Sequence, residues 1–440
     1  MCRFYYIATM GCQMNEYDSD CLGQQLMNYG LAATDNHENA DLIIINTCTV
    51  RAKAQQKAFS LIGRMMSIKK RKPDVILGVM GCIAQQEGSD LLKKFPDIDL
   101  VLGTREIGST PQLLDRITKG KEKIVATDLS IKPIPRERHD GYFRNSIKSY
   151  ISIMEGCNNF CSYCIVPYVR GREVSRSSKE IMEEAKSLVS QGIKEITLLG
   201  QNVNSYSFTE REDVDFPMLL RMLSGLDGLN RIRFTTSHPK DLSDDLISCF
   251  KELSVLCPHI HLPFQSGSDR ILRMMNRGYS REQYIELIAK LRDIRPDFAI
   301  TSDVMVGFPG ESDKDFQMTI DLIKKIEFDN LFSFKYSDRK GTFSENMDKK
   351  VDEHEKSSRL SILQSIQKEI TLKRNIKHIG KEEEVLVEGE SKKGGQLTGR
   401  NETNKIVNFY SDIKLTGSLV RVYIKHAFIN SLQGTLIKGH

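Results

Sequence analysis

Cys157, Cys161 and Cys164 lie within one short stretch, MEGCNNFCSYC (154–164), spaced C-x3-C-x2-C. Thiolate sulfur is soft and suits zinc or iron–sulfur iron. Structural zinc takes four protein ligands, and no fourth Cys or His is suitably placed nearby. On a four-iron cubane, three thiolates leave one iron open to an exogenous ligand. An open corner has no use in a structural cluster. It has one where a substrate must bind iron.

Three further cysteines raise the same question from distant positions. Cys12, Cys48 and Cys82 each close an apolar run, in FYYIATMGC, DLIIINTC and VILGVMGC, and each precedes a helical pattern. Such strand–helix alternation implies a parallel α/β sheet. The carboxyl ends of parallel strands lie along one edge, where ligand sites form. A single cysteine there reads as a small buried hydrophobe. Three at equivalent places in successive units predict a shared metal or cluster site.

The positioning elements follow from the same patterns. A fourth strand, DLVLGT, closes the first unit near Thr104, and a helix is expected over IAQQEGSDLLKKF. Residues 119–142 read as a linker, the stretch KPIPRERHDGYFR (132–144) that overlaps their end being rich in proline and charge. From Tyr150 a second series begins, with strands at YISIME, EITLLG, RIRFTT, HIHLPF, FAITSDVMVG and LFSFKY separated by helical segments. Six β/α units suggest a barrel or part of one. A long amphipathic helix follows from Asp352. Beyond Lys381, short strands divided by glycine and polar turns predict a small OB-like β-barrel. The fold class is α/β with that barrel appended. The expected segments are 1–118, linker 119–142, core 143–375 and C-terminal barrel 376–440.

C-x3-C-x2-C at the end of the first barrel strand, with Tyr163 just before the last cysteine, resembles the radical S-adenosylmethionine (SAM) superfamily. MGCQMNEYDSD, IINTCTVRAKAQQK, GVMGCIAQQEG, EGCNNFCSYCIVPYVRGREVSR, LLGQNVNSY, HLPFQSGSDRIL and DVMVGFPGE extend the resemblance to the methylthiotransferases over essentially the whole chain. That family combines an N-terminal cluster domain, a partial (β/α)6 TIM-like radical SAM barrel and a C-terminal TRAM domain. The resemblance implies that Cys157, Cys161 and Cys164 ligate a 4Fe–4S cluster whose open iron SAM chelates. It likewise implies that Cys12, Cys48 and Cys82 ligate a second 4Fe–4S cluster. Cys2, Cys21, Cys249 and Cys257 match no ligand position.

QMNEYDSD, the Val50-Arg51 pair with its AQQK helix, and GQNVNSY most resemble the subgroup that methylthiolates C2 of N6-(dimethylallyl)adenosine at position 37 of tRNA. That C2–H bond offers acid–base catalysis little to act on, so a radical generator and a sulfur source are needed. Two SAM molecules per turnover are implied, one methylating the sulfur and one yielding the radical. Alternatives are the same chemistry on threonylcarbamoyladenosine or on a ribosomal-protein aspartate, or a non-catalytic Fe–S RNA-binding or redox-sensing protein.

Other site residues come with a plainer reading beside them. Tyr163, Gly200, Gln201, Asn202, Ser237, Gln265 and Asp303 are expected to bind SAM, the last six from barrel strand ends. Gly200 to Asn202 also read as a turn and helix cap. Gly307-Phe308-Pro309-Gly310 lies along adenine or is a simple turn. Arg170, Arg172 and Arg176 meet the SAM carboxylate or RNA phosphate, or pair with Glu173 and Glu155.

The chain has 440 residues, a formal net charge of +5 and 28% charged residues, too mild a charge to name a partner by itself. From Ser391 to His440, however, eight basic residues face two acids, and Lys69 to Lys72 form another basic knot. In the last module Arg400, Lys405, Phe409, Arg421, Tyr423 and Lys425 mix basic and aromatic groups as RNA-binding sheets do, although Phe and Tyr in short strands are more often core. No run of eighteen apolar residues spans a membrane, and MCRFYYIATMGC has no apolar signal region. A cytoplasmic monomer is expected, with the tRNA anticodon loop as substrate, a flavodoxin- or ferredoxin-type electron donor and a separate sulfur donor as partners.

Overall fold

The computed structural model describes every residue except 1–2, 50–51, 121, 131–138, 140, 144–145, 210–212, 393 and 438–440, and describes 52–54 by backbone alone. Cys2, the Val50-Arg51 pair and most of KPIPRERHDG therefore lie outside the described residues. The chain forms two compact units. One comprises 1–144 with 155–158 and 165–174; the other comprises 145–154, 159–164 and 175–440.

The first unit is built on a six-stranded, all-parallel sheet. Its strands run in the order Ala32–Ala33, Phe4–Thr9, Leu42–Thr47, Ile76–Gly81, Leu100–Leu102 and Ile124–Ala126. The central strands Leu42–Thr47 and Ile76–Gly81 are buried at every position, as expected of parallel strands covered on both faces. One apolar cluster, with Leu22, Leu26, Ile44, Leu102 and Leu114, fills one face. Another, with Ile43, Ile45, Ile62, Leu77 and Val79, fills the other.

Two sequence expectations are corrected here. The sheet has two edge strands beyond the expected four, and Ile124–Ala126 falls within the stretch assigned to the linker. It pairs in parallel with Leu100–Leu102. The expected helix over IAQQEGSDLLKKF is two short ones, Cys82–Glu87 and Ser89–Lys94, because Gly88 between them takes φ 51°.

The second unit holds all six expected barrel strands: Lys148–Ser152, Glu195–Leu199, Arg231–Phe234, His259–His261, Ala299–Val306 and Asn330–Lys335. They pair in parallel as two triplets, the first three and the last three. A bridge between Ile232 and Leu256 and a bond from Ser237 N to His261 O join the third strand to the fourth. The result is a partial parallel barrel. A helix over Glu353–Ile376, capped by Asp352, leads to a closed five-stranded barrel spanning Glu382 to Leu436. Val385, Val387, Val407, Phe409, Val422, Ile424 and Leu432 fill that barrel.

Two barrel arginines fasten the small barrel within this unit. Arg231 donates to Arg400 O at 2.6 Å and Glu384 O at 3.0 Å. Arg233 donates to Glu402 O at 2.8 Å and Asn401 O at 2.9 Å.

Candidate functional site

In the first unit, Cys12, Cys48 and Cys82 come to one sheet edge. Cys12 caps the helix Gln13–Asn28, Cys48 follows the strand Leu42–Thr47, and Cys82 opens the helix after Ile76–Gly81. Two glycines permit the approach. A Cβ on Gly11 (φ 132°) would lie 2.5 Å from Cys48 Cβ, and one on Gly81 (φ 91°) would lie 2.4 Å from Asn46 Oδ1. Asn46 and Asn15 lock the strand to the helix, Asn15 Nδ2 donating to Asn46 Oδ1 at 2.8 Å and to Thr47 O at 2.9 Å.

The thiols differ in character. A hydrogen bond with Cys48, then the Arg170 charge and the helix-terminal N–H groups, bring Cys12 down to about 6 against the cost of desolvation. Thiols at helix N-termini beside a cation behave this way. Burial raises Cys82 instead, with Arg170 opposing. Cys21, Cys249 and Cys257 are buried, and burial pushes Cys249 and Cys257 up to about 11, as for inert packed thiols.

Arg170 is a correction to the sequence reading. It pairs with Asp18, Nη2 to Oδ2 at 2.7 Å, both side chains being buried. Glu155 acts on it through its field. Arg176 pairs with Glu184 at 2.7 Å and donates to Ser152 O. Arg172 O accepts from Arg105 at 2.9 Å.

In the second unit, Cys161 and Cys164 sit on a fastened turn, Cys164 N bonding Cys161 O at 2.9 Å. Ser162 bonds through N to Met275 O and through O from Ser344 N. Cys161 Sγ accepts from Arg277 Nη1 at 3.6 Å. Cys157 belongs to the first unit, its N–H bonding Gly171 O. Tyr163 meets Phe308 edge-on at 6.5 Å. Phe308 is itself core, packed with Ile271, Met275 and Tyr336, so the GFPG segment has a packing reason for its phenylalanine.

Gly200, Gln201, Asn202, Ser237 and Gln265 lie past the carboxyl ends of the second, third and fourth barrel strands, where barrel active sites form. Gly200 is tight, since a Cβ there would stand 2.6 Å from Met154 Cγ. Gln201 follows it, half-buried. Asn202 Nδ2 donates to Asp241 at 2.7 Å, while its Oδ1 is buried with no hydrogen-bond partner. Ser237 Oγ and His238 Nε2 are likewise buried and unsatisfied. Gln265 adopts φ 64° and joins the fifth strand by its backbone, N to Asp303 O and O from Met305 N. Asp303 departs from expectation: it is interior to Ala299–Val306, because that strand continues past the fourth strand, staying paired with Asn330–Lys335 as far as Val306 and bridging to Gln265. Its carboxylate is 3.5 Å from His261 Nε2.

Orphaned buried acceptors and donors are costly, so the Asn202, Ser237 and His238 atoms would gain from a polar ligand such as the amino-acid and nucleoside groups of SAM. Cys12, Cys48 and Cys82, soft ligands brought to one sheet edge, suit an iron–sulfur cluster. Among the described residues, no three Cys, His, Asp or Glu side chains are spaced to hold a single metal ion. A cubane gives each thiolate its own iron, so its ligands stand further apart than those around one ion.

Sequence reasoning missed Arg277 and the Arg170–Asp18 pair, because neither residue has a spacing relationship to the cysteines it serves. In the C-terminal barrel it overstated Lys405, which is held by Asp329 at 2.8 Å with both side chains nearly buried. Phe409 is core. Arg400 pairs with Glu388. Tyr410, Tyr423 and Phe428 are the exposed aromatics there.

The fold and the cysteines define the class: a radical SAM barrel carrying an extra cysteine-bearing α/β domain and a small β-barrel. Residues 151–323 match the radical SAM superfamily, 4–103 an uncharacterized protein family designated UPF0004, and 377–437 the TRAM domain. The tRNA-2-methylthio-N(6)-dimethylallyladenosine synthase of Syntrophus aciditrophicus is 51% identical over 99% of this chain and 95% of its own length. The enzymes of that name from Syntrophobacter fumaroxidans and Geobacter sulfurreducens are 47% and 46% identical, over 99% of this chain and 96% and 98% of theirs. A radical SAM methyltransferase of Kitasatospora setae, TsrM, shares the fold with a TM-score of 0.56 at 15% identity, over 76% of this chain and 75% of its own. The chain belongs to the tRNA-2-methylthio-N(6)-dimethylallyladenosine synthase family.

Proposed function

We propose that this protein is a tRNA methylthiotransferase that converts N6-(dimethylallyl)adenosine to its 2-methylthio derivative at C2. The observation that carries this reading is near-full-length identity of 44–51% to enzymes of that name, on a chain holding both cysteine trios. The relatives reported above all carry that one enzyme name, which favours it over the alternative substrates and the non-catalytic sensor.

Cys157, Cys161 and Cys164 would hold one 4Fe–4S cluster, and Cys12, Cys48 and Cys82 the other. When bound, the two clusters supply the electron that cleaves SAM and the site that delivers sulfur. The remaining work belongs to the chain, which binds, orients and excludes water. Arg277 steadies Cys161 from the barrel side. Asn202 and Ser237 would offer buried polar atoms to the cosubstrate, with Gly200, Gln201, Gln265, Asp303 and Tyr163 as its further contacts. The exposed Tyr410, Tyr423 and Phe428, interleaved with Lys414, Arg421 and Lys425, suit stacking and phosphate contact with an RNA loop.

A flavodoxin- or ferredoxin-type donor would supply electrons and a separate donor would replenish sulfur, in a monomer acting in the cytoplasm. Among the described residues no helix is long and apolar enough to cross a membrane. We assign the boundaries 143–375 and 376–440 to the catalytic core and TRAM module.

The test is mass spectrometry of anticodon-loop nucleosides from cells lacking the protein. Dimethylallyladenosine persisting without its methylthio form is the expected result; intact methylthio product would end the assignment. In vitro, replacing Cys157, Cys161 and Cys164 by Ala is expected to abolish 5′-deoxyadenosine formation from SAM. Replacing Cys12, Cys48 and Cys82 is expected to keep that reaction and lose sulfur insertion.

A further inference from the structure

Arg170 lies only six residues after Cys164 in the chain, yet its side chain serves the other cysteine trio. Its side chain is 3% exposed and that of Asp18, its ion-pair partner, 0%. Nη2 makes that pair. Nη1 is buried and reaches no partner at hydrogen-bonding geometry, although the guanidinium acts on Cys12 and Cys82 through its field and on Cys82 as a weak donor.

The segment carrying Arg170 is firmly placed. Arg105 Nη2 donates to Arg170 O at 3.2 Å and to Arg172 O at 2.9 Å. Thr104 Oγ1 donates to Val169 O at 2.9 Å, and Ile165 and Val169 pack on Cys82. A buried cation held this rigidly, with an N–H left over, is a costly arrangement unless an acceptor arrives.

Charge says what kind of acceptor. Three thiolates on a four-iron cluster leave one iron for an exogenous group, and a sulfur anion there adds a negative charge to an already anionic centre. In surroundings partly lined by Cys82, Ile165 and Val169, that charge needs a fixed donor. Cys12 is exposed there, but the donor itself is buried, and hydrogen bonds from a buried cation to an anion are strong.

We propose that Arg170, oriented by Asp18, is the residue that holds a sulfur anion, hydrosulfide or a small thiolate, at the Cys12–Cys48–Cys82 centre. This rests on the reading of that trio as a cluster site. Arg170 is a positioning residue: it binds and aims the sulfur without exchanging atoms or electrons with it.

The experiment uses the full chain carrying Cys157→Ala, Cys161→Ala and Cys164→Ala, so that a single cluster remains, with about four irons after anaerobic reconstitution. Sodium sulfide is titrated and its binding read by electron paramagnetic resonance of the reduced cluster. Against this background, Arg170→Met weakens sulfide binding by about tenfold to a hundredfold, and Arg170→Lys, which keeps the charge without the fork, falls between. Equal sulfide affinity in all three proteins overturns the proposal, even if the cluster potential moves. Failure of both variants to assemble iron also overturns it, leaving Arg170 a purely structural role. If only Arg170→Met fails to assemble, the Arg170→Lys affinity decides. Absence of four irons in the Arg170-containing background is a different result, removing the cluster reading itself.

Discussion

Arg277 Nη1 donates to Cys161 Sγ across 3.6 Å, joining residues 116 apart in the chain. The other branches of the guanidinium are occupied, Nε by Tyr279 Oη at 3.1 Å and Nη2 by Pro263 O at 2.7 Å. The side chain is therefore fixed in orientation. Burial opposes its charge, but Tyr279, Tyr163 and Cys161 around it hold it firmly protonated.

A cation and an N–H donor at a ligand sulfur favour the more negative, reduced state of an iron–sulfur centre. Arg277→Met is expected to make the potential of the Cys157–Cys161–Cys164 cluster more negative by about 59 mV or more, a tenfold change for a one-electron couple. Potentiometry followed by electron paramagnetic resonance measures it. An unmoved potential would reduce the contact to packing.

Gly81 sits at φ 91° between the strand Ile76–Gly81 and Cys82, and a Cβ there would stand 2.4 Å from Asn46 Oδ1 and 2.5 Å from Thr47 O. Both obstacles are held: Asn46 by Asn15 and Ser19, and Thr47 O by Asn15 Nδ2. Gly81→Ala should therefore cost about 1–3 kcal/mol in backbone strain alone and shift Cys82 away from Cys12. The expected readout is a lowered melting temperature, with iron content after reconstitution falling from about eight toward four. Full iron content with an unchanged melt would show that the edge adapts.

The two α/β series and the cysteine positions were legible because parallel strands buried on both faces read as unbroken apolar runs, such as LIIINT and ILGVMG. Each cysteine simply ended such a run. The edge strands Ala32–Ala33 and Ile124–Ala126 were not, since two or three residues carry no period. Gly88 hid a helix break inside a helical pattern. Arg170, Asp18 and Arg277 were the hardest: their roles come from contacts across 152 and 116 residues, and local spacing encodes nothing about them. Asp303 looked like a strand-end residue because the length of its strand beyond it comes from pairing with the distant strand Asn330–Lys335.

Glu311 makes stability depend on pH. Burial pushes its carboxyl up to about 7, against hydrogen bonds from Gly307 N and Arg359. Its Oε2 accepts from both, while Oε1 is buried without a partner, a natural place for the proton. The folded state thus holds a proton that the unfolded chain, with an ordinary value near 4.5, has released. Its stabilising effect is present at low pH and is lost as pH rises through the window from about 4.5 to 7. Glu311→Gln keeps the shape without the titration and is expected to flatten the melting-temperature profile across that window. A slope identical to that of the unsubstituted chain would refute the assignment.

Arg233 carries the clearest prediction for the C-terminal module. Its Nε binds Glu195 Oε2 at 3.0 Å, with both side chains nearly buried, and its two terminal nitrogens bind Asn401 and Glu402 carbonyls. One guanidinium thus neutralises a buried carboxylate on the second barrel strand and satisfies two carbonyls of the small barrel. Removing it leaves Glu195 buried and unpaired, a loss of about 3–5 kcal/mol, far above that of a surface pair. Arg233→Met should therefore lower the melting temperature. It should also raise amide hydrogen exchange at 397–405, where the small barrel loses its anchor, more than in the sheet Phe4–Thr9 of the other unit. Substituting Glu195→Gln as well removes the stranded charge and is expected to recover part of the stability while leaving the exchange at 397–405 elevated, because the two carbonyls still lack their donor. If both effects recover together, the carboxylate alone explains the loss, and the arginine is not what fastens the small β-barrel to the catalytic barrel.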